Sequence, residues 1–483
     1  MDYLKLGLKA GLEIHQQLDV GRKLFCRCPA FLRSEEPDFF VRRKLHAVPG
    51  ESGEVDMAVE YEAGLGKEFV YQGYNDNNCL VELDESPPYE VNEGALDEAL
   101  KIALLLNCEI YPITQIMRKT VIDGSNTSGF QRTILIAHDG FVETSFGKIG
   151  IATIMLEEDS ARILEKSGNS AIYRLDRLGI PLVEIGTMPD LRTPEQIKET
   201  ALKLGEILRA CRVKRGIGTI RQDLNISVKG HNRVEIKGFQ EPRIMLKTIE
   251  LEVERQLGEL KNNNKEGGVR NVLDDGKTEF LRPIPGGARM YPETDLPLLK
   301  IGRERINRIK KELPRLKQDI RDELRKKGLS EELINLVLAD KESFDEFNVL
   351  ISVYDKDANL AAKMITLWRQ EFASKSGKDF DEIKDILNER VLEQVLEHVR
   401  DGKLDKGHVK EVLWNILQGK KIEEALHVEK VENNELEERI RKIVKEKPGL
   451  RENAYMGLVL KEFGNKVDKR KAMELIKRIL RSK

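Results

Sequence analysis

The sequence predicts an α/β segment followed by an all-α one, and three observations carry that reading. Up to about Pro297 the chain is rich in short β-like runs, glycine turns and a few helical stretches. From about Ile301 it becomes helical and stays so to its end. A break near Asp401-Gly402-Lys403 separates a last helical module. A chain of 483 residues suggests about three domains, placed at 1–298, 299–402 and 403–483.

The first element is the apolar run Gly11-Leu12-Glu13-Ile14-His15. Alternate side chains of a strand share a face, so Glu13 and His15 project together while Leu12 and Ile14 go the other way. A carboxylate beside an imidazole, on a strand that otherwise seeks burial, is costly unless the pair binds something, and a divalent metal is the simplest partner. A strand-end pair facing solvent fits the spacing equally well. Cys26 and Cys28 then form a C-x-C before Pro29. A zinc site would need a second pair nearby, and Cys79 stands alone in the sequence, so both are read as unmetallated.

A helix is expected over Glu93–Leu106, with Ala95, Leu96, Ala99, Leu100, Ala103 and Leu104 on one face. The stretch Arg118–Arg132 joins cations to a Gly/Ser/Thr-rich turn. Small residues such as Ser125 and Ser128 let backbone N–H groups and hydroxyls approach phosphate oxygens, and Lys119 and Arg132 add charge. A plain surface turn has the same composition.

Four further strand-like segments each bring an acid. They are Leu156-Glu157-Glu158-Asp159, directly after the apolar run Ile149–Met155; Leu182-Val183-Glu184-Ile185; Arg221–Ser227, which holds Asp223; and Arg233-Val234-Glu235-Ile236-Lys237. Like charges gathered on one sheet repel and raise each other's pKa unless cations sit among them. Oxygen ligands with at most one imidazole suit Mg²⁺ or Mn²⁺ rather than Zn²⁺. Pairing with the many Lys and Arg on different faces of the sheet is the competing arrangement, and spacing leaves it open.

Between the last of these strands lies a second helix, Thr193–Ala210, with Thr193 as N-cap and Pro194 at the first helical position. The polar stretch from Lys261 to Lys277 cannot bury much and reads as a surface loop. Arg282-Pro283-Ile284-Pro285-Gly286-Gly287-Ala288-Arg289-Met290-Tyr291-Pro292-Glu293-Thr294-Asp295 is rigid and non-repetitive, with Arg289 and Tyr291 as candidate substrate contacts; a domain-closing linker fits it as well. Ile306, Ile309, Leu313, Leu316, Ile320 and Leu324 form a 3,4-spaced helical stripe, interrupted at Pro314. Lys461–Lys483 holds nine Lys/Arg against three acids. Its apolar residues Ala472, Leu475, Ile476, Ile479 and Leu480 recur at helical spacing, so the basic side chains belong on the exposed side.

Composition narrows the rest. No run of about 18 apolar residues exists, so no membrane span is expected, and the N-terminus lacks the plan of a secretory signal. Five cysteines in a long chain fit a reducing cytoplasm. A net charge of −2 implies no global attraction to polyanions, so nucleic-acid contact must come from local basic patches. There is no Walker A or G-x-G-x-x-G sequence, and no nucleophilic cysteine motif or Ser/Lys amidase array.

Taken in order, Gly11–His15, Lys23-Leu24-Phe25-Cys26, Leu156–Asp159, Pro181–Ile185, Asp223–Ser227 and Glu235–Lys237 resemble the B/E family of tRNA-dependent amidotransferase subunits. Arg118–Thr133 and Met290–Asp295 look like its archaeal E branch rather than the bacterial B branch. The resemblance covers essentially the whole chain. It implies a mixed α/β cradle with kinase and transamidase activity over residues 1–298, a helical domain, and a small YqeY-like helical tail that grips tRNA. The implied reaction is ATP-dependent phosphorylation of the Glu side chain on Glu-tRNA(Gln), followed by amidation with ammonia to give Gln-tRNA(Gln). The ammonia would come from an asparaginase-like D subunit, in a heterotetramer of two D and two E subunits, with Mg²⁺ and ATP as cofactors.

The resemblance also implies roles. Glu13, His15, Glu158 and Glu184 would be catalytic. His15, Glu158 and Glu184 would hold one metal, and Glu13, Asp223 and Glu235, with Glu158 shared, would line a second. Lys119, Ser125, Ser128, Arg132, Lys237, Arg289 and Tyr291 are nucleotide- or substrate-binding candidates; Lys461, Lys466, Lys469 and Arg470 are tRNA-binding candidates. One departure stands out. Archaeal E subunits usually carry an inserted domain resembling part of an aspartyl-tRNA synthetase late in the cradle, and here only Lys261–Lys277 occupies that place. A non-catalytic tRNA-binding or assembly protein with the same cradle is the alternative, and whether the acids converge on one face decides between them.

Overall fold

The computed structural model describes residues 1–239, 242–426, 433–463, 467 and 469–481. The chain divides into two compact units, Met1–Leu316 and Lys317–Lys483. The first is built on a large sheet whose main strands are β1 (Lys9–Gln17), β2 (Ile116–Thr120), β3 (Phe130–Thr144), β4 (Gly147–Glu158), β5 (Pro181–Thr187), β6 (Ile220–Ser227), β7 (Val234–Phe239), β8 (Gly268–Val272), β9 (Thr278–Arg282) and β10 (Met290–Pro292). Their order is β9-β8-β7-β6-β1-β5-β4-β3-β2-β10. Neighbours are antiparallel except for β7 and β8.

One face of this sheet is apolar because each strand alternates. Ile14 lies opposite Ile185, Ile185 opposite Ile154, Leu12 opposite Leu224 and Leu224 opposite Ile236. Helices α1 (Glu93–Leu105), α2 (Pro194–Ala210) and α3 (Pro242–Lys261) contribute to the same unit. Leu96, Ala99, Leu100, Ile197, Leu204, Met245 and Ile249 join the strand residues in one buried core. The two expected helices form with the expected signals. Asn92 caps α1 by accepting from Ala95 N, and Thr193 caps α2 by accepting from Gln196 N, with Pro194 at its start.

A smaller sheet, ordered Phe39–Arg43, Glu68–Gly73, Ser170–Arg174, Arg162–Ser167, has its own aromatic core of Phe69, Tyr71 and Tyr173. Helix α4 (Arg303–Lys311) also belongs to the first unit: Arg305 Nε and Arg308 Nη2 reach the Asp97 carboxylate of α1 at 2.6 and 2.9 Å. The 3,4-spaced stripe is thus two helices, α4 and Lys317–Lys326, parted around Pro314.

The polar stretch after Lys261 is not wholly a loop. β8 pairs in parallel with β7, and β9 closes the sheet edge against β8. Only Gly268 and Val269 of β8 are buried, which is why composition hid the strand. The second unit is helical throughout its described residues. Gly402 (φ +72°) ends the helix Glu389–Arg400, yet Leu404, Val409 and Leu413 pack into the same core as Leu396. A separate core of Leu436, Ile440, Tyr455, Val459, Ala472 and Ile476 gathers the helices Asn433–Glu446, Glu452–Phe463 and Lys469–Arg481. No helix among the described residues is long and apolar enough to cross a membrane.

β10 and the turn after it are pinned by a buried carboxylate. Glu293 accepts from Arg118 Nε and Nη2 at 2.9 and 2.6 Å and from Arg132 Nε at 2.8 Å. Truncating it would take from two guanidinium groups their shortest ion pair and leave each only a longer one, Arg118 to Asp295 at 3.3 Å and Arg132 to Glu158 at 3.4 Å. Glu293→Ala should therefore cost about 3–5 kcal/mol of stability, measured by denaturant unfolding. A loss below about 1 kcal/mol would mean that backbone pairing alone holds the segment.

Candidate active site

The face of the large sheet opposite its helix-packed core carries a row of charged side chains. From β2 to β7 it runs through Lys119, Gln131 and Thr133, Glu157, Glu184, His15 and Glu13, Asp223 and Arg221, then Glu235 and Lys237. Register sets this row: His15 lies opposite Glu184, Glu13 opposite Asp223, Asn225 opposite Glu235 and Thr133 opposite Glu157. Glu13 and His15 share the face that strand alternation predicts. The row floors a cavity of about 870 Å³ whose wall includes Tyr173, Arg282 and Arg289.

Two ligand clusters lie on the floor. In the first, donor atoms of His15, Glu157 and Glu184 all lie within 4.8 Å of one another. His15 Nε2 sits 3.2 Å from Glu184 Oε2, and Lys119 Nζ is 2.5 Å from Glu157 and 3.7 Å from Glu184. Burial works to lower the His15 pKa, but the Glu184 carboxylate outweighs it and the imidazole is held above its usual value. Burial likewise works against the charge on Glu184, yet Lys119 and His15 hold its carboxyl well below the usual range. Glu157, fully enclosed, is pushed up by burial.

The second cluster is Glu13, Asp223 and Glu235, with donors again within 4.8 Å. Burial, then the nearby Glu184 and Glu235 charges, raise the Glu13 pKa. Lys237 Nζ bridges Asp223, at 2.7 Å, and Glu235. Two lysines thus lie where crowded carboxylates need positive charge. Donor sets of carboxylates with a single imidazole fit Mg²⁺ or Mn²⁺, and the residues present suit such an ion at either cluster.

The structure separates one expected ligand from this group. Glu158 follows Glu157 on the same strand and therefore points to the other face. There it accepts from Arg132 N and Nη1 at 3.3 and 3.4 Å, with burial raising its pKa against Arg132. The carboxylate that the fold places beside His15 and Glu184 is that of Glu157. Arg132 is drawn to the same far face by Glu158 and Glu293, and Tyr291 packs edge-on to Phe130 under Arg118. Neither lines the cavity. Ser128 also turns away, donating to Phe130 O at 2.9 Å, whereas Lys119, Ser125, Lys237 and Arg289 line it.

Sequence reading missed Asp159, Arg221 and Arg282. Asp159 is fully buried and accepts from Gln17 Nε2 at 2.6 Å and Arg221 Nη2 at 2.8 Å. Burial opposes its charge, but Arg221 and Arg177 hold its carboxyl below the ordinary range. Of the tail candidates, Lys461 is exposed, Lys466 lies outside the described residues, and so do the side chains of Lys469 and Arg470. Elsewhere on the last helix Lys477 and Arg478 pair with Glu452 and Glu437.

The reading of Cys79 as alone is overturned. The fold brings it to Cys26 and Cys28, and with Glu82 the four donors lie within 4.8 Å of one another. Cys26 Sγ is 2.8 Å from Glu82 Oε1, and the fully buried Lys23 is 3.1 Å from the same oxygen. Hydrogen bonds from Cys26 and Cys28 hold the Cys79 thiol low, while the Cys26 thiol is pushed up by its bonds to Cys28 and Cys79. Three sulfurs and a carboxylate gathered this closely are a donor set that suits Zn²⁺. The signal available in the sequence was Cys79-Leu80-Val81-Glu82, a C-x-x-E that stands where a C-x-x-C would have been noticed.

Residues 8–307 match the family described as the GatB/GatE catalytic domain. The chain is 36% identical to the E subunit of the glutamyl-tRNA(Gln) amidotransferase of Methanocaldococcus jannaschii, over 88% of this chain and 86% of that protein. It is 34% identical to the protein of the same name from Archaeoglobus fulgidus, over 100% and 99% of the two chains. The latter alignment runs over 622 positions against 483 residues here, so more than a hundred of its positions have no counterpart in this chain.

Metal analysis of the purified chain should return about one zinc per molecule from the cysteine cluster, and Cys79→Ser should release it. A zinc-free, fully folded protein would show that the three thiols and Glu82 are held by their own hydrogen bonds.

Proposed function

The chain belongs to the GatB/GatE family, and on that premise we propose that it is the transamidating subunit of a glutamyl-tRNA(Gln) amidotransferase, a ligase that converts Glu-tRNA(Gln) to Gln-tRNA(Gln). The observation that carries this reading is the convergence of two acid clusters, His15–Glu157–Glu184 and Glu13–Asp223–Glu235, on the floor of one cavity. Scattered acids would have favoured the non-catalytic tRNA-binding protein.

In the proposed reaction an oxygen of the glutamyl side-chain carboxylate attacks the terminal phosphorus of ATP. The bond to the bridging oxygen breaks and ADP leaves with the electron pair. Ammonia then adds to the acyl carbon, the carbon–oxygen bond to the phosphoryl group breaks, and inorganic phosphate departs with the electron pair and one proton from the nitrogen, leaving the amide. Phosphoryl transfer depends on positioning and charge neutralisation more than on covalent help from the protein. Mg²⁺ at the two clusters would supply that neutralisation. His15 and Glu184 fix each other's orientation across β1 and β5, and Lys119 does the same for Glu157. Lys237 keeps Asp223 and Glu235 together.

Nothing in the sequence supplies a nucleophile for releasing ammonia from an amide. An asparaginase-like D subunit is the proposed source, in a complex of two D and two E subunits. The tail module is the proposed tRNA grip. Among the described side chains Lys461, Lys471, Lys477 and Arg478 are exposed and would meet phosphates rather than read sequence.

Two experiments test this. Glu157→Gln should raise the Mg²⁺ requirement of transamidation by about 10–100-fold, whereas Glu158→Gln, on the far face of the sheet, should leave it in place. The reverse ranking would return the metal to Glu158. Removing residues 433–483 takes away one complete hydrophobic core. It should raise the KM for Glu-tRNA(Gln) and flatten its salt dependence while the Mg²⁺ and ATP requirements persist. An unchanged salt slope would make the tail's basic face merely solvated.

A further inference from the structure

The cations on the cavity floor are matched to carboxylates: Lys119 to Glu157, Lys237 to Asp223 and Glu235, Arg221 to Asp159; Lys166 and Arg233 at its rim are exposed to solvent. Arg282 and Arg289 differ. Arg282 ends β9, and the chain turns back through a single turn of 3₁₀ helix, Gly287–Arg289, so that both side chains reach the same cavity wall. Arg282 Nε is buried with no hydrogen-bond partner. Among the described residues neither guanidinium is in an ion pair. The nearby Asp56 carboxylate is engaged by backbone, accepting from Ala58 N at 2.9 Å and Gly286 N at 2.6 Å. Burial and the neighbouring Arg282 charge both lower the Arg289 pKa.

Two like charges brought together in a half-buried wall, facing a floor of acids but bonded to none of them, are unfavourable unless an anion comes between. We infer that Arg282 and Arg289 form an anion clamp that holds the phosphoryl group as it passes from the nucleotide to the substrate carboxylate. The inference rests on the phosphoryl-transfer reading above and assigns that step a second source of positive charge. The guanidinium fork matches phosphate oxygens and keeps its charge when buried. The acids of the floor repel a free polyphosphate, and the two arginines of the wall would offset that repulsion beside any cations the floor held. As the carboxylate oxygen bonds to phosphorus and the bridging oxygen departs with its electrons, negative charge spreads over the three equatorial oxygens, which is what the clamp would meet.

The test uses Arg282→Gln and Arg289→Gln in the full chain with its amide-supplying partner, beside wild type. Each variant should lower the rate of ATP-dependent transamidation by about 10³-fold or more, with the KM for Glu-tRNA(Gln) unchanged. The thermal midpoint should hold or rise, because an unpartnered buried charge has been removed. Added guanidinium chloride should restore part of the rate to Arg289→Ala. Calorimetry with inorganic tripolyphosphate and Mg²⁺ should show binding to wild type and a loss of at least tenfold in each variant. Wild-type rates in the variants, or a lowered midpoint with an unchanged rate per folded molecule, would make the arginines structural and overturn the clamp. If a Gln variant does not fold, the Lys variant decides: it keeps charge without the fork and should still lose at least tenfold in rate. If wild type itself fails to transamidate, the functional reading falls, yet tripolyphosphate binding lost in the variants would still uphold the clamp.

Discussion

Five carboxylates from five neighbouring strands, Glu157, Glu184, Glu13, Asp223 and Glu235, crowd one polar stripe of the large sheet. Mutual repulsion in a partly dry cavity is the constraint on which the rest of the site depends. It shows in the pKa directions. Glu13 and Glu157 are pushed up by burial, while Glu184 stays low only because Lys119 and His15 face it. Lys119 and Lys237 make the arrangement tolerable as it stands, and the geometry leaves each cluster able to exchange that help for a metal ion.

The stripe is held in place from its back and its end. Behind it, Ile14, Ile185, Ile154, Leu224 and Ile236 form a continuous apolar surface in the buried core of the unit. At its end, Asp159 ties Gln17 to Arg221, fixing β1 and β6 on either side of the acids. On the far face Glu293 gathers Arg118 and Arg132 and secures the segment that follows Arg289. The cavity face and the core face thus use the same residue types, and strand parity decides which surroundings each meets.

Much of this was legible in the sequence. The two capped helices, the alternating strands and the switch to helix near residue 301 follow from local patterns. So do Glu13, His15, Glu184, Asp223 and Glu235. Glu157 was not chosen: the resemblance pointed to Glu158, and strand parity does not correct that choice. In β4 the odd residues Ile149 and Ile151 point to the core, but further along the even residues Ile154 and Leu156 do. The phase slips by one near Ala152-Thr153, where pairing with β5 is irregular. Parity counted from the start of the strand therefore selects Glu158. The cysteine cluster was missed for a different reason: Cys26 and Cys79 meet only through the fold, and Glu82 does not advertise itself as a ligand. β8 and β9 were missed because edge strands can be polar.

β1 lies in the middle of the sheet, between β5 and β6, although it is the first strand made. Neither neighbour exists until residues 181–187 and 220–227 have left the ribosome. At about 5–20 residues per second, the apolar edge of Lys9–Gln17 waits roughly ten seconds or more without a partner. The contacts that β1 makes with β5 and β6, and so the placing of Glu13 and His15, are therefore long-range, and their formation is slow by topology rather than by sequence. The strand that carries Glu13 and His15 therefore gains both of its neighbours only after most of the sheet's residues have been made.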